Sequence, residues 1–232
     1  MNKINCNFPI LKVENVKKSY FYNEKEILIF KDLNIDFYES KTYAITGVSG
    51  SGKTTFLNLI SGFDVIDEGK ILFNNKIEIN KLNEEELSFL RNVKFGYVFQ
   101  SFYLLPELNV IENIVLPALK KGTPKREAYE KARFLMKEIN IANIEKNFIN
   151  SISGGEAQRV AIARSLINDP EIILADEPTG NLDVKNREGI VSLLFNVVRK
   201  FNKILILVTH DISIANMCDY KYKIENYNFV LF

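Results

Sequence analysis

Residues 47 to 54 read Gly47-Val48-Ser49-Gly50-Ser51-Gly52-Lys53-Thr54. A glycine, a short spacer and then Gly-Lys-Thr is a phosphate-cradling pattern, and the reason is physical. Glycine lacks a Cβ, so the backbone can wrap closely on a ligand and enter positive φ without strain. The loop N–H groups then face phosphate oxygens, and a helix that follows adds the positive end of its dipole. Lys53 would reach the β- and γ-phosphates, and the Thr54 hydroxyl would hold Mg²⁺. The pattern needs a strand before it and a helix after it. Thr42–Thr46 reads as a short buried strand, and Thr55–Ser61 as a helix closed by Gly62. That context favours a phosphate loop over a flexible Gly/Ser turn.

The 232 residues suffice for one large domain or for a core with an inserted lobe. Lys+Arg is 30 and Asp+Glu is 29, a formal charge of +1, so no excess of positive charge points to nucleic acid or to an anionic surface. Cys6 and Cys218 lie near opposite ends in no metal-ligand spacing, which suits free thiols in a reducing compartment. No stretch approaches the roughly 18 apolar residues that span a bilayer. If the chain works at a membrane, the expectation is that another chain anchors it.

Outward from the loop, residues 1–9 read as a loose arm and Ile10–Val16 as an edge strand. Ile27–Phe30 and Leu33–Phe37 read as two further strands, with Ile35 and Phe37 on one face. Ile71–Phe73 turns at Asn74-Asn75 and pairs back through Ile77–Ile79. Asn83 and Glu86 have capping-box spacing, opening a helix to about Arg91. Phe95–Phe99 is a buried strand with Gln100 at its end. Residues 101–150 change character. Pro124 suits the first position of a helix on which Ala128, Ala132, Leu135, Met136 and Ile139 share a stripe. A helix runs from Ser153 to about Ile167. Ile172–Ala175 is an apolar strand ending on Asp176-Glu177. Val184–Lys200 is an amphipathic helix, and Ile204–Val208 a buried strand ending at Thr209-His210-Asp211. Buried strands alternating with helices imply an α/β fold with a mainly parallel sheet, and the early strands an antiparallel part beside it.

The chemical groups fall at the C-terminal ends of these strands, where such sheets bind ligands. Asp176 can hold the hydration shell of Mg²⁺, and Glu177 can orient or deprotonate an attacking water. Gln100 could contact the metal or the water, or merely end a strand. His210, the only histidine, is placed for a γ-phosphate contact after a buried strand. Ser153 and Glu156 have capping-box spacing of their own. Gly154 and Gly155 each cost about 1 kcal/mol relative to Ala within a helix, so a phosphate approaching that helix start accounts for them better. Among the aromatics at 20–22, Tyr20 is the first choice to stack on an adenine and Tyr22 the second.

Taken together, these residues resemble the ATP-binding subunit of ABC transporters. Residues 47–54 look like its Walker A loop, 172–177 like Walker B with the catalytic glutamate, and Gln100 like the Q-loop glutamine. Ser153-Gly154-Gly155-Glu156 looks like the family signature, with Ile152 for its leucine and Glu156 for its glutamine. Asn181-Leu182-Asp183 looks like the D-loop, and His210 like the switch histidine. The resemblance implies a P-loop NTPase core with an antiparallel β subdomain and an inserted helical subdomain. Residues 1–100 and 151–232 would form the core and 101–150 the helical part. It implies ATP contacts at Tyr20, Gly47, Ser49, Gly50, Ser51, Gly52, Lys53, Thr54 and Thr55. Mg²⁺ would be held near Thr54, Gln100 and Asp176, with catalysis by Glu177, His210 and Gln100. Two copies would sandwich ATP head to tail in a homodimer, each ATP between one chain's Lys53 loop and the other chain's Ser153, Gly154 and Gly155, with Glu156 and Asp183 also among the nucleotide-binding residues. Integral membrane permease subunits at the cytoplasmic face of the inner membrane would be the further partners.

A narrower resemblance is to the lipoprotein-releasing and macrolide-export branch. It is carried by Phe95–Gln100, Leu104-Leu105-Pro106, Asn109-Val110, Glu112-Asn113 and Ala175–Asp183, while Lys223–Phe232 departs from the usual ending. The alternative is a regulatory ATPase of a cell-division complex that transports nothing, which shares these motifs. A soluble ABC ATPase of DNA repair or translation would need zinc, coiled-coil or second ATPase segments, none of which is present, and no nucleic acid is expected as a partner.

Overall fold

The computed structural model describes residues 8–23, 25–182 and 184–232. Cys6, Asp183 and most of the N-terminal arm therefore lie outside the described residues. The chain forms two compact units, one of residues up to Leu87 with Val208–Phe232, the other of Ser88–Leu207.

In the first unit, β1 (Leu11–Tyr22) and β2 (Lys25–Phe37) pair antiparallel. On its other side β1 pairs antiparallel with β4 (Glu68–Phe73), which in turn pairs with β5 (Ile77–Glu78). The expected antiparallel sheet is present, but β1 is central rather than at the edge. Lys12 and Glu14, which alternate with the buried Leu11 and Val13, mark a more solvated face, not a missing neighbour. The two strands expected over 27–37 are one. Asp32, at φ 50, makes an irregularity that breaks the apolar alternation without ending the strand. β3 (Thr42–Thr46) pairs parallel with β9 (Tyr220–Glu225), and β9 turns back through a hairpin into β10 (Asn228–Leu231). The helices of this unit are α1 (Lys53–Ile60) and the single turn α7 (Ile212–Ala215), with the start of α2 (Glu84–Lys94). The expected Asn83–Glu86 box opens α2, with bonds of 2.9 and 3.0 Å. Phe56 of α1 lies in a cluster of rings with Phe30 at 6.1 Å, Phe37 at 6.1 Å and Phe229 at 4.7 Å between centroids. Phe30, Phe37 and Phe56 are buried, and this packing fixes α1 and hence the loop before it.

In the second unit, β6 (Phe95–Phe99) and β7 (Ile172–Asp176) pair parallel in the register Phe95↔Ile172 through Phe99↔Asp176. β8 (Ile204–Val208) lies on the other side of β7. Its helices are α3 (Val110–Lys120), α4 (Lys125–Glu138), α5 (Gly154–Leu166) and α6 (Val184–Lys200). α4 buries Ala128, Ala132, Leu135 and Met136, the expected stripe. Pro124 is its N-cap rather than its first helical residue. α5 is buried nearly all round, which explains its weak amphipathic pattern in the sequence.

Candidate nucleotide site

Four features of the loop after β3 suit it to phosphate. Gly50 and Gly52 adopt φ 76 and 101, a region that disfavours side chains, and a Cβ on Gly52 would lie 2.5 Å from Ile29 Cγ2. Gly52 is also the N-cap of α1 and makes no side-chain capping bond to its first turn. Lys53 folds back over the loop and donates to the carbonyls of Gly47 at 2.9 Å and Val48 at 3.1 Å, leaving one ammonium N–H for a ligand. The Ser51 hydroxyl is buried against Gly47 and has no hydrogen-bond partner, an orphan that a bound oxygen would satisfy. Gly47, Ser49, Thr54 and Thr55 complete the same loop and first turn.

Tyr20 and His210 join this group within the first unit. The Tyr20 hydroxyl donates to Asp64, and the Lys18 ammonium sits 4.6 Å from its ring centroid while bonding Asp64 at 2.8 Å. Burial and the Asp64 carboxylate push the Tyr20 hydroxyl's pKa up, so it stays a neutral donor. Tyr20 is 38% exposed, enough to offer ring surface to a base, whereas Tyr22 is 69% exposed near the end of β1. Thr209 N–H donates to Ile45 at 3.2 Å, which places the next residue, His210, alongside the end of β3, where the loop begins.

The second unit gathers the remaining groups. Because Phe99 pairs with Asp176, Gln100 and Glu177 leave adjacent parallel strands at one edge. Glu177 has φ 46, a strained conformation for a non-glycine residue of the kind that functional sites hold. The Gln100 Nε2 donates to Asn181 Oδ1 at 3.1 Å, and Asn181 Nδ2 donates to the Gln100 carbonyl at 3.0 Å. The start of α5 is a complete capping box. Glu156 N–H donates to Ser153 Oγ at 3.3 Å, and Glu156 Oε2 accepts from the Ser153 N–H at 2.8 Å. The bonds that its carboxylate accepts from the Ser153 N–H and the Ser153 hydroxyl hold the Glu156 carboxyl below its ordinary range. Gly154 is exposed, and a Cβ there would meet nothing closer than 3.7 Å. Among the described residues nothing requires a glycine at 154.

Sequence reasoning assigned no structural role to two groups that shape the loop after Gln100. Arg164 of α5 donates to the carbonyls of Phe102 at 2.7 Å and Tyr103 at 2.5 Å, and burial pushes its pKa down. Buried Asn113 bonds Leu105 through both its N–H and its carbonyl, at 2.8 and 3.0 Å. Asn109 and Glu112 form the capping box that opens α3, a spacing the sequence reading did not use, and no local pattern announces Arg164.

The residues fit ATP with Mg²⁺. Among the described residues no group of three His, Cys, Asp or Glu converges as an all-protein metal cage. Mg²⁺ does not need one, since it takes one or two protein oxygens together with phosphates and water. Thr54, Gln100 and Asp176 carry such oxygens.

The family model for ABC transporters matches residues 30–180. The lipoprotein-releasing system ATP-binding protein LolD of Treponema denticola is 45% identical over 219 residues, covering 94% of this chain and 96% of that protein. The macrolide export ATP-binding/permease protein MacB of Pasteurella multocida is 38% identical over 92% of this chain but only 32% of its own length. Among solved structures, the ATP-binding cassette MJ0796, dimeric in a post-hydrolysis state bound to ADP and Pi, is 37% identical. It superposes with a TM-score of 0.84 over 94% of this chain and 96% of that one. Among the described residues no helix is long and apolar enough to cross a membrane. With a phosphate loop whose buried Ser51 hydroxyl awaits an acceptor and relatives matched along nearly its whole length, the chain belongs to the ABC transporter family as an ATP-binding subunit that hydrolyses ATP.

Proposed function

We propose that this subunit works as a head-to-tail homodimer docked on integral membrane permeases at the cytoplasmic face of the inner membrane, and that its ATP hydrolysis drives lipoprotein release. The observation that carries the reading is the 45% identity to a LolD protein along nearly the full length of both chains. The second unit offers an exposed apolar surface for a membrane partner: Phe89 on α2, Tyr103 and Leu105 in the loop after Gln100, and Leu116 and Leu119 on α3. The Lys120 ammonium reaches Ser88 at 3.3 Å, and Asn113 holds Leu105, so these segments adjoin. Monomeric proteins rarely leave such a surface uncovered. Residues 101–150 would pass motion from the nucleotide to that partner.

In this reading Tyr20 stacks on the adenine, and Gly47–Thr55 hold the phosphates through loop N–H groups and Lys53. Thr54, Asp176 and Gln100 would hold Mg²⁺, which when bound would neutralise charge on the phosphoryl oxygens. Water attacks the γ-phosphorus and the bond to the ADP oxygen breaks. Glu177 orients that water or takes its proton, and His210 donates to the γ-phosphate. Ser153–Glu156 and Asp183 approach the nucleotide held by the second copy, so that closure depends on the γ-phosphate.

Reconstitution with its permeases in proteoliposomes tests the proposal. ATP-dependent transfer of a lipid-anchored lipoprotein to an acceptor is expected. ATP-dependent flux of a macrolide without lipoprotein transfer would instead assign the export role.

A further inference from the structure

We infer that Gly180 and Asn181 are positioning residues for Gln100, seating its side chain so that the carbonyl end of the amide faces the metal. The inference rests on the reading of Gln100 as a metal ligand.

The seat is rigid. Gly180 N–H donates to Glu177 O at 2.9 Å, Leu182 N–H donates to Thr179 O at 3.1 Å, and the wholly buried Gln158 donates to Pro178 O at 2.5 Å. Gly180 is not in the left-handed region, so no backbone conformation demands a glycine there. Space does. A Cβ at 180 would lie 2.7 Å from Gln100 Nε2, 2.9 Å from its Cδ and 3.0 Å from its Cγ. The glycine is therefore matched to the Gln100 side chain itself.

Asn181 then decides which end of the amide is which. A main-chain carbonyl can only accept, so the group facing Gln100 O at 3.0 Å must be Asn181 Nδ2. That leaves Asn181 Oδ1 facing the Gln100 amide at 3.1 Å, and an oxygen there requires a donor, Nε2. Gln100 Oε1 is the end that remains to be offered. Mg²⁺ binds hard oxygen and not amide nitrogen, so this orientation is the one that makes Gln100 a ligand. The fixed main-chain carbonyl thus sets the polarity of the whole pair, as outer partners of a metal ligand commonly do.

The test uses the full chain with a non-hydrolysable ATP analogue and Mn²⁺ as a paramagnetic probe, titrated by electron paramagnetic resonance. Q100A, N181A and G180A are each expected to weaken Mn²⁺ binding about tenfold. The double variant Q100A/N181A should lose no more than Q100A alone. Binding of the analogue in chelator, without metal, should be unchanged in all four, which also reports that they are folded. If Q100A weakens Mn²⁺ binding while N181A and G180A do not, or if the losses add in the double variant, the positioning role is overturned and the ligand reading stands. If Q100A leaves Mn²⁺ binding unchanged, the ligand reading fails and takes the inference with it.

Discussion

At the scale of single residues, the chemistry divides between groups whose types announce them and groups whose partners do. Glu177, at the end of β7 and in a left-handed conformation, is proposed to act on the attacking water. Glu177→Gln should retain ATP affinity and lose at least about a hundredfold in turnover, as single-turnover kinetics beside equilibrium binding would show. Lys53→Ala should weaken ATP binding itself. Ser51 gives a sharper case. Its hydroxyl is buried without a partner, so Ser51→Ala should leave the nucleotide-free melting temperature unchanged or raised while weakening nucleotide binding. Calorimetric melting with and without ATP separates the two effects. Lys53, Asp176 and Glu177 were legible in the sequence because each follows a strand signal at a spacing that chemistry constrains. Asn181 and Arg164 were not, because their roles are hydrogen bonds to residues 81 and about 60 positions away.

At the scale of elements, the strands Thr42–Thr46, Phe95–Phe99 and Ile204–Val208, all largely buried, fall where the sequence puts them, since a mostly buried run has sharp ends. The early strands were harder to read. The positive-φ residues Asn15 and Asp32 shift register inside β1 and β2, and a strand with one solvated face looks like an edge. The terminal hairpin shows a local cost of another kind. Its two-residue turn, Asn226–Tyr227, has φ 48 and 64, and the second residue is a bulky ring where glycine is at ease. Tyr227→Gly should raise stability by about 1 kcal/mol, measured by chemical denaturation. A loss would show that the exposed Tyr227 ring contributes packing that outweighs the strain.

At the scale of the whole molecule, the proposed shared site predicts that Glu177→Gln shifts from monomer to dimer with ATP–Mg²⁺ and not with ADP, as solution mass would show. Stability should depend on acid in a defined way. Partial burial alone would raise the Asp64 carboxyl. Hydrogen bonds from Lys18, Tyr20 and the Val65 N–H overcome that and hold it below its ordinary value. A carboxyl depressed in the folded state contributes stability that is complete above the unfolded value of about 3.9 and is lost as pH falls through the folded one. Asp64→Asn should therefore be less stable near neutrality and should flatten the loss of stability below about pH 4. α5 carries a mechanical consequence. Its flanks are buried along almost its whole length, and a close-packed interior yields little. From Ser153 to Arg164 it spans about 16 Å, and the guanidinium at the far end grips the main chain two and three residues beyond Gln100. On the proposed reading the helix would act as a pushrod: a push at Ser153–Glu156 would reach the loop as travel rather than as softened strain.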